Sequence, residues 1–152
     1  LAAITYAKTV SSPVILWGQS LGGAILLDAL TYYPTLQQYV DKVVIESSFV
    51  SYQDIGQSKL AGFWLSWPFQ GLASLLLTDE YSAKNRMGAL KVPLLVLHGD
   101  QDHVVEKEEG ERIFANAVGP KEMILVIDAD HLHVSFVDDG KYRQEILQSI
   151  AK

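Results

Sequence analysis

The sequence contains no cysteine, and it carries little positive charge. The first absence excludes disulfides, thiolate zinc sites and cysteine nucleophiles. Lys and Arg number 12 against 18 Asp and Glu, which gives a net charge of −6, and no basic cluster occurs. A protein that binds nucleic acid through its phosphates needs a cationic face to displace counterions. We therefore expect no nucleic-acid partner.

The opening residues, LAAITYAKTV, have neither an initiator Met nor the charged region of a signal peptide. Together with the missing cysteines, this predicts a cytoplasmic location. The length of 152 residues corresponds to one domain. The opening also suggests that the chain is part of a longer protein.

Residues 60–77 lack charge entirely, over 18 residues. That is about the shortest length that could span a bilayer. The stretch also contains Pro68, Gln70, two glycines and two serines, which together weaken the case for a spanning helix. We predict a buried or lid-forming pair of helices here, with contact to a membrane surface as the alternative.

Short apolar runs alternate with helical patterns along the chain. The predicted strands are residues 13–17, 43–45, 92–97 and 123–127, and the predicted helices are 21–33, 106–118 and a final one marked by Tyr142, Ile146 and Ile150. Continuous apolar runs of this length are typical of strands that are buried on both faces. The alternation predicts an α/β fold, with a parallel sheet flanked by helices. The helix at 21–33 is apolar nearly all round and is predicted to be buried.

In open parallel sheets, ligands gather outside the carboxyl ends of the strands. The segments that follow the four predicted strands read GQS, ESS, HGDQDH and DADHLH. The first belongs to Gly18-Gln19-Ser20-Leu21-Gly22, which fits G-x-S-x-G between a strand and a helix. In that motif, small residues allow strand and helix to approach closely and a sharp turn exposes the serine hydroxyl. A serine hydroxyl is a weak nucleophile unless an oriented base accepts its proton.

Ser20 is followed along the chain by an acid candidate, Asp102, and a base candidate, His131. Nucleophile, acid and base in this sequence are one of the known orders of a Ser-His-Asp triad. GQSLGG, the stretch LLVLHGDQDHVV and a final strand followed by a histidine together resemble the α/β-hydrolase superfamily. The resemblance is to its small serine esterase, lipase and peptidase-like members. It implies that Ser20 is the nucleophile, Asp102 the acid and His131 the base. It also implies that the backbone N–H of Leu21 is an oxyanion donor.

The resemblance covers essentially the whole chain, but only the carboxyl-terminal half of the family's fold. It implies one partial domain over residues 1–152, with a lid or cap inserted at 47–90. The family's earlier strands and second oxyanion donor are not among these residues. The strand at 13–17 would then be an exposed apolar edge, open to self-association.

Several residues compete with those that the resemblance selects. Asp100 or Glu46 could be the acid in place of Asp102, and His133 could be the base in place of His131. We interpret His98 as structural. The His and Asp side chains after the last two strands also resemble a metal-ligand cluster. However, no H-E-x-x-H pattern occurs and a triad needs no ion, so we expect neither a metal nor a cofactor.

The sequence thus predicts a serine hydrolase that cleaves a small-molecule carboxylic ester or thioester through an acyl-enzyme, with an ester preferred over a peptide. The alternative is a non-catalytic or truncated hydrolase-fold module that serves binding or interaction. Apolar side chains of the uncharged stretch would line an acyl pocket or pack in the core. They are Phe63, Trp64, Trp67, Phe69, Leu72, Leu75, Leu76 and Leu77.

Overall fold

The computed structural model describes residues 2–61, 67–69 and 71–151, and a sheet of four parallel strands lies at its centre. The spatial order of the strands is their order in the chain. They are β1 (Ile15–Gln19), β2 (Lys42–Glu46), β3 (Leu94–Gly99) and β4 (Lys121–Val126). Each pairs in parallel with the next. The predicted parallel sheet is therefore confirmed.

Helices connect and cover the strands. They are α1 (Ala2–Val10), α2 (Leu21–Tyr32), α3 (Tyr52–Ala61), α4 (Gly71–Leu76), α5 (Lys107–Asn116) and α6 (Lys141–Ala151). Short 3-10 turns lie at Pro34–Tyr39, Trp67–Phe69, Met87–Ala89 and Asp138–Gly140. The boundaries of α2, α5 and α6 lie within about two residues of those predicted from the sequence. Proline at the start of the first 3-10 turn fits the end of α2, since it disfavours helix in the residue before it.

The core lies on both faces of the sheet. Val43 and Ile45 of β2 belong to one apolar cluster and Val44 belongs to the other, because successive strand residues point to opposite faces. Leu30 of α2 covers the first face and Ile146 of α6 covers the second. Burial on both faces is therefore confirmed for β2, and it extends over all six residues of β3.

The first strand departs from the prediction. It starts two residues later than expected, and the N–H of Val14 donates to Asp41 Oδ2 at 2.7 Å instead of joining a strand ladder. Full burial is wrong for β1, because among the described residues it pairs with β2 alone and forms an edge of the sheet. The Trp17 side chain is consequently 43% exposed. Self-association through this edge stays a prediction.

The second helix is also less buried than its composition predicted. Leu27 and Leu30 are completely buried against the sheet, whereas Leu21, Ile25 and Tyr32 are all more than half exposed. Ile25 lies beside β1 and lines, together with Trp17, a groove of about 460 Å³. An apolar pattern all round a helix thus does not establish what covers its outer face.

Asp79 connects the later part of the segment 47–90 to its beginning. Its carboxylate accepts hydrogen bonds from the Ser51 hydroxyl at 2.7 Å and the Gln53 N–H at 3.3 Å. Core packing was one of the two roles expected for the apolar side chains of the uncharged stretch, and it is wrong for those that the structure describes. Phe69, Leu72, Leu75, Leu76 and Leu77 are all exposed.

Phe63, Trp64 and the Trp67 side chain lie outside the described residues, so their expected role stays a prediction, as does that of the segment as a lid. Over the described ranges, the structure contains no helix with the length and apolar character needed to cross a membrane.

Candidate active site

Ser20 occupies a sharp turn between β1 and α2. Its φ of 49° and ψ of −124° lie in a region that a non-glycine residue rarely adopts. Two hydrogen bonds from the end of β2 hold it there. The Ser20 N–H donates to the carbonyl oxygen of Glu46 at 2.9 Å, and the Ser48 hydroxyl donates to the carbonyl oxygen of Ser20 at 2.7 Å. The strained turn is therefore supported by the neighbouring strand.

Two glycines allow strand and helix to approach closely, but only one of them belongs to the five-residue motif. A Cβ on Gly18 would lie 2.7 Å from the Cα of Gly23, and one on Gly23 would lie 2.6 Å from Ser48 Oγ. A Cβ on Gly22 would meet no atom within 4 Å. The packing role that the motif assigned to Gly22 is thus performed by Gly23 in the described structure.

Asp102 lies in the turn after β3 with its carboxylate fully buried. Oδ1 accepts the backbone N–H groups of Val104 at 2.9 Å and Val105 at 2.8 Å, so the side chain folds the turn around itself. Oδ2 lies 2.8 Å from Nδ1 of His131. One oxygen thus fixes the turn and the other faces the histidine.

His131 lies in the turn after β4, with its side chain 16% exposed. Its Nε2 is 3.1 Å from Ser20 Oγ. A carboxylate can only accept, so Nδ1 carries the proton that is shared with Asp102, and the lone pair of Nε2 in the neutral ring faces the serine. The structure therefore brings Ser20, His131 and Asp102 into one hydrogen-bonded series across the carboxyl ends of β1, β3 and β4.

Comparison with known proteins agrees with this architecture. No family model matches the chain. The uncharacterized protein YfhR of Escherichia coli (strain K12) is 30% identical over 139 residues, which cover 90% of this chain and 45% of YfhR. Among solved structures, the esterase domain of a Rhodothermus marinus protein superposes over 99% of this chain and 65% of its own, with a TM-score of 0.68 and 22% identity. MGS-MChE2, an alpha/beta hydrolase enzyme from a sediment metagenome, superposes over 98% and 66%, with a TM-score of 0.64 and 17% identity. The chain has the α/β-hydrolase fold.

The chain spans less than half of YfhR and about two thirds of the solved hydrolase chains. This partial coverage fits the expectation that it corresponds to the carboxyl-terminal half of the α/β-hydrolase fold. These similarities establish the fold of the chain, but they do not show which of its residues are catalytic.

The other candidate acids have different partners in this α/β-hydrolase fold. Asp100 Oδ1 accepts the N–H of Asp128 at 2.7 Å and so links the turns after β3 and β4. Glu46 is buried, and its Oε2 accepts the Trp17 indole N–H at 2.9 Å and the Gln19 amide at 2.7 Å. Glu46 thus ties β2 to β1 just before Ser20.

His133 makes its hydrogen bond with the backbone instead of with Ser20. Its Nδ1 lies 2.8 Å from the carbonyl oxygen of His131. Asp130 accepts the backbone N–H of His131 at 2.7 Å, and this hydrogen bond is the main cause that holds the pKa of the Asp130 carboxyl below its usual value, with His103 and His133 adding to it. A charged carboxylate is therefore retained beside His131.

No metal site is found within the described ranges, where no three His, Asp or Glu side chains converge suitably to hold an ion. Sequence reasoning also passed over Ser48, whose hydroxyl supports Ser20. Its sequence signal is its place in the ESS segment after β2, which does not by itself indicate this role. The pairing with Ser20 depends on strand register, and no local pattern encodes that register.

Proposed function

We propose that Ser20, His131 and Asp102 form the catalytic triad of a serine hydrolase acting on a carboxylic ester or thioester. The observation that carries the proposal is the unbroken hydrogen-bonded series, with 3.1 Å from Ser20 Oγ to His131 Nε2 and 2.8 Å from His131 Nδ1 to Asp102 Oδ2. This geometry is what identifies a catalytic triad: the nucleophile lies within hydrogen-bond reach of its base, and a third group orients the base. The strained backbone of Ser20 adds support, because such strain concentrates at functional sites.

In the acylation step, Ser20 Oγ forms a bond to the substrate carbonyl carbon while its proton passes to His131 Nε2. The resulting imidazolium is stabilised by the Asp102 carboxylate, which keeps its charge. The tetrahedral intermediate then expels the alcohol or thiol, which takes the proton from Nε2. Water repeats the sequence on the acyl-enzyme, so that the carboxylic acid leaves and Ser20 recovers its proton.

The oxyanion of the intermediate needs hydrogen-bond donors. Leu21 is the first residue of α2, so its backbone N–H is not used by the helix and lies at the positive end of the helix dipole. We assign this N–H as one donor. Removal of one oxyanion donor typically costs about 100- to 1,000-fold in rate. The second donor is proposed to come from the rest of a longer protein.

The substrate class follows from the segment 47–90, which we propose to be a lid. Lys59 of α3 donates to the carbonyl oxygen of His103 at 3.0 Å, so the segment borders the turn that carries Asp102. The same segment exposes Phe69 and the leucines of 72–77. If this exposed apolar surface closes over the site, it suits a small ester with an apolar acyl group. The neighbouring Rhodothermus marinus domain is described as an esterase, which supports an ester over a peptide.

A fluorophosphonate probe followed by intact-mass measurement tests the proposal. Ser20 would displace fluoride from phosphorus and retain one phosphonyl group. We expect one adduct on this chain, none on Ser20→Ala, and an unchanged adduct on Ser58→Ala, whose hydroxyl bonds within α3. An adduct that persists in Ser20→Ala would refute the assignment. If neither this chain nor its full-length parent reacts, the non-catalytic module is the correct interpretation.

A further inference from the structure

His98, a second histidine, lies completely buried beside Asp102 at the end of β3. Its Nε2 is 2.8 Å from the carbonyl oxygen of Val105 and 3.5 Å from Asp102 Oδ2. The proposed acylation chemistry does not use this side chain. Its burial and its polar contacts therefore call for a separate explanation.

The two ring nitrogens of His98 have different surroundings. The Val105 carbonyl can only accept a hydrogen bond, so Nε2 carries a proton. Nδ1 is buried and has no hydrogen-bond partner among the described residues. It faces Gly110 of α5, where a Cβ would lie 2.5 Å from Nδ1. The described residues thus offer an acceptor to Nε2–H and none to Nδ1, so Nε2 is the nitrogen through which His98 acts on its surroundings.

A series of hydrogen bonds connects the His98 ring to the proposed base. His98 Nε2–H donates to the Val105 carbonyl, and the N–H of the same Val105 donates to Asp102 Oδ1 at 2.8 Å. The other carboxylate oxygen, Asp102 Oδ2, accepts a hydrogen bond from His131 Nδ1–H. We propose that His98 is a positioning residue, which fixes Val105 and thereby aims the Asp102 carboxylate at His131. The inference rests on the proposed function, because it concerns the same site.

A purely space-filling role would not require this residue type. An apolar side chain of similar size could fill the volume, but it would leave the buried carbonyl of Val105 without its donor. The turn would then lose the constraint on one side of Asp102. Gly110 is the complementary feature, because a Cβ there would lie 2.5 Å from His98 Nδ1 and would displace the ring from its present position.

The test compares His98→Gln with His98→Met in this chain. The two side chains have similar length and shape, but only Gln can donate to the Val105 carbonyl. The readout is the strongly downfield proton resonance of His131 Nδ1–H, identified by its loss in His131→Ala. We expect the resonance in the unmodified chain and in His98→Gln, and its loss or clear upfield shift in His98→Met. The fluorophosphonate labelling rate should fall about 10- to 100-fold in His98→Met, as for a displaced catalytic group.

Gly110→Ala tests the same contact from the opposite side. Its added Cβ would displace the His98 ring, so we expect the same change in the resonance. Ile113→Val is the matched control, because Ile113 is buried on the same helix and the change removes one methylene without touching His98. An unchanged resonance in both His98→Met and Gly110→Ala would overturn the proposal. So would an equal loss in Ile113→Val, or the absence of the resonance from the unmodified chain.

These readouts separate the two hypotheses. If Ser20 is not labelled but the resonance is present and is lost selectively in His98→Met, the positioning role stands and the hydrolase function fails. If labelling occurs and is unaffected by His98→Met, the function stands and the positioning role fails.

Discussion

Two adjacent glycines at the start of α2 should respond oppositely to the same substitution. Alanine is favoured over glycine inside a helix by up to about 1 kcal/mol, and this gain is similar for both variants. At Gly22 the new Cβ meets nothing within 4 Å, whereas at Gly23 it would lie 2.6 Å from Ser48 Oγ and 2.7 Å from Ser48 Cβ. Overpacking of this kind costs about 1–3 kcal/mol. Gly23→Ala should therefore be less stable than Gly22→Ala by about 1–3 kcal/mol.

Urea denaturation of the two variants, followed by far-UV circular dichroism, measures this difference directly. Because both changes add one methyl group to the same turn of helix, their helix propensities largely cancel. Adding Ser48→Gly to Gly23→Ala removes both close contacts and should recover part of the lost stability, as expected for residues in contact. Equal stability of the two single variants would refute the assignment of the strand–helix contact to Gly23.

Two further predictions concern charge. The backbone N–H of His131 holds the pKa of the Asp130 carboxyl below its ordinary value of 3.8, so the ionised carboxylate stabilises the fold at neutral pH and this contribution is lost as the pH falls below that value. Asp130→Asn should therefore lower the urea midpoint at pH 7 and have a smaller effect at about pH 2; an equal effect at both pH values would contradict this. Burial raises the pKa of Glu109, more than Arg112 lowers it. The folded state therefore holds this proton to a higher pH than the unfolded state, and stability falls as the pH rises above the ordinary value of 4.5. Glu109→Gln should flatten this decline and raise the urea midpoint at pH 7, and a lower midpoint would exclude burial as the dominant cause.

The sequence predicted the parallel sheet, the order of its elements and the segments that meet at its carboxyl edge. These succeeded because apolar runs such as 43–45 and 92–97 carry a strong local signal. The expected exposed edge at β1 is confirmed. The prediction of full burial is wrong for α2, because composition records which residues are apolar and not what covers them. The support that Ser48 and Glu46 give to Ser20 was also missed. Both contacts arise from the register between β1 and β2, which pairs residues nearly thirty positions apart.

The supports of the proposed triad all come from within the described half of the fold. Ser20 is held by backbone and hydroxyl groups at the end of β2, Asp102 by its own turn, and His131 by Asp102. None of these contacts depends on what covers the open edge of β1. The preorganisation of base and acid should therefore persist in this chain, whereas under our proposal one oxyanion donor comes from a longer protein. Hence the His131–Asp102 proton signal should match between this chain and the longer protein that we propose to contain it, while the labelling rates should differ by about 100- to 1,000-fold, the value of one oxyanion donor.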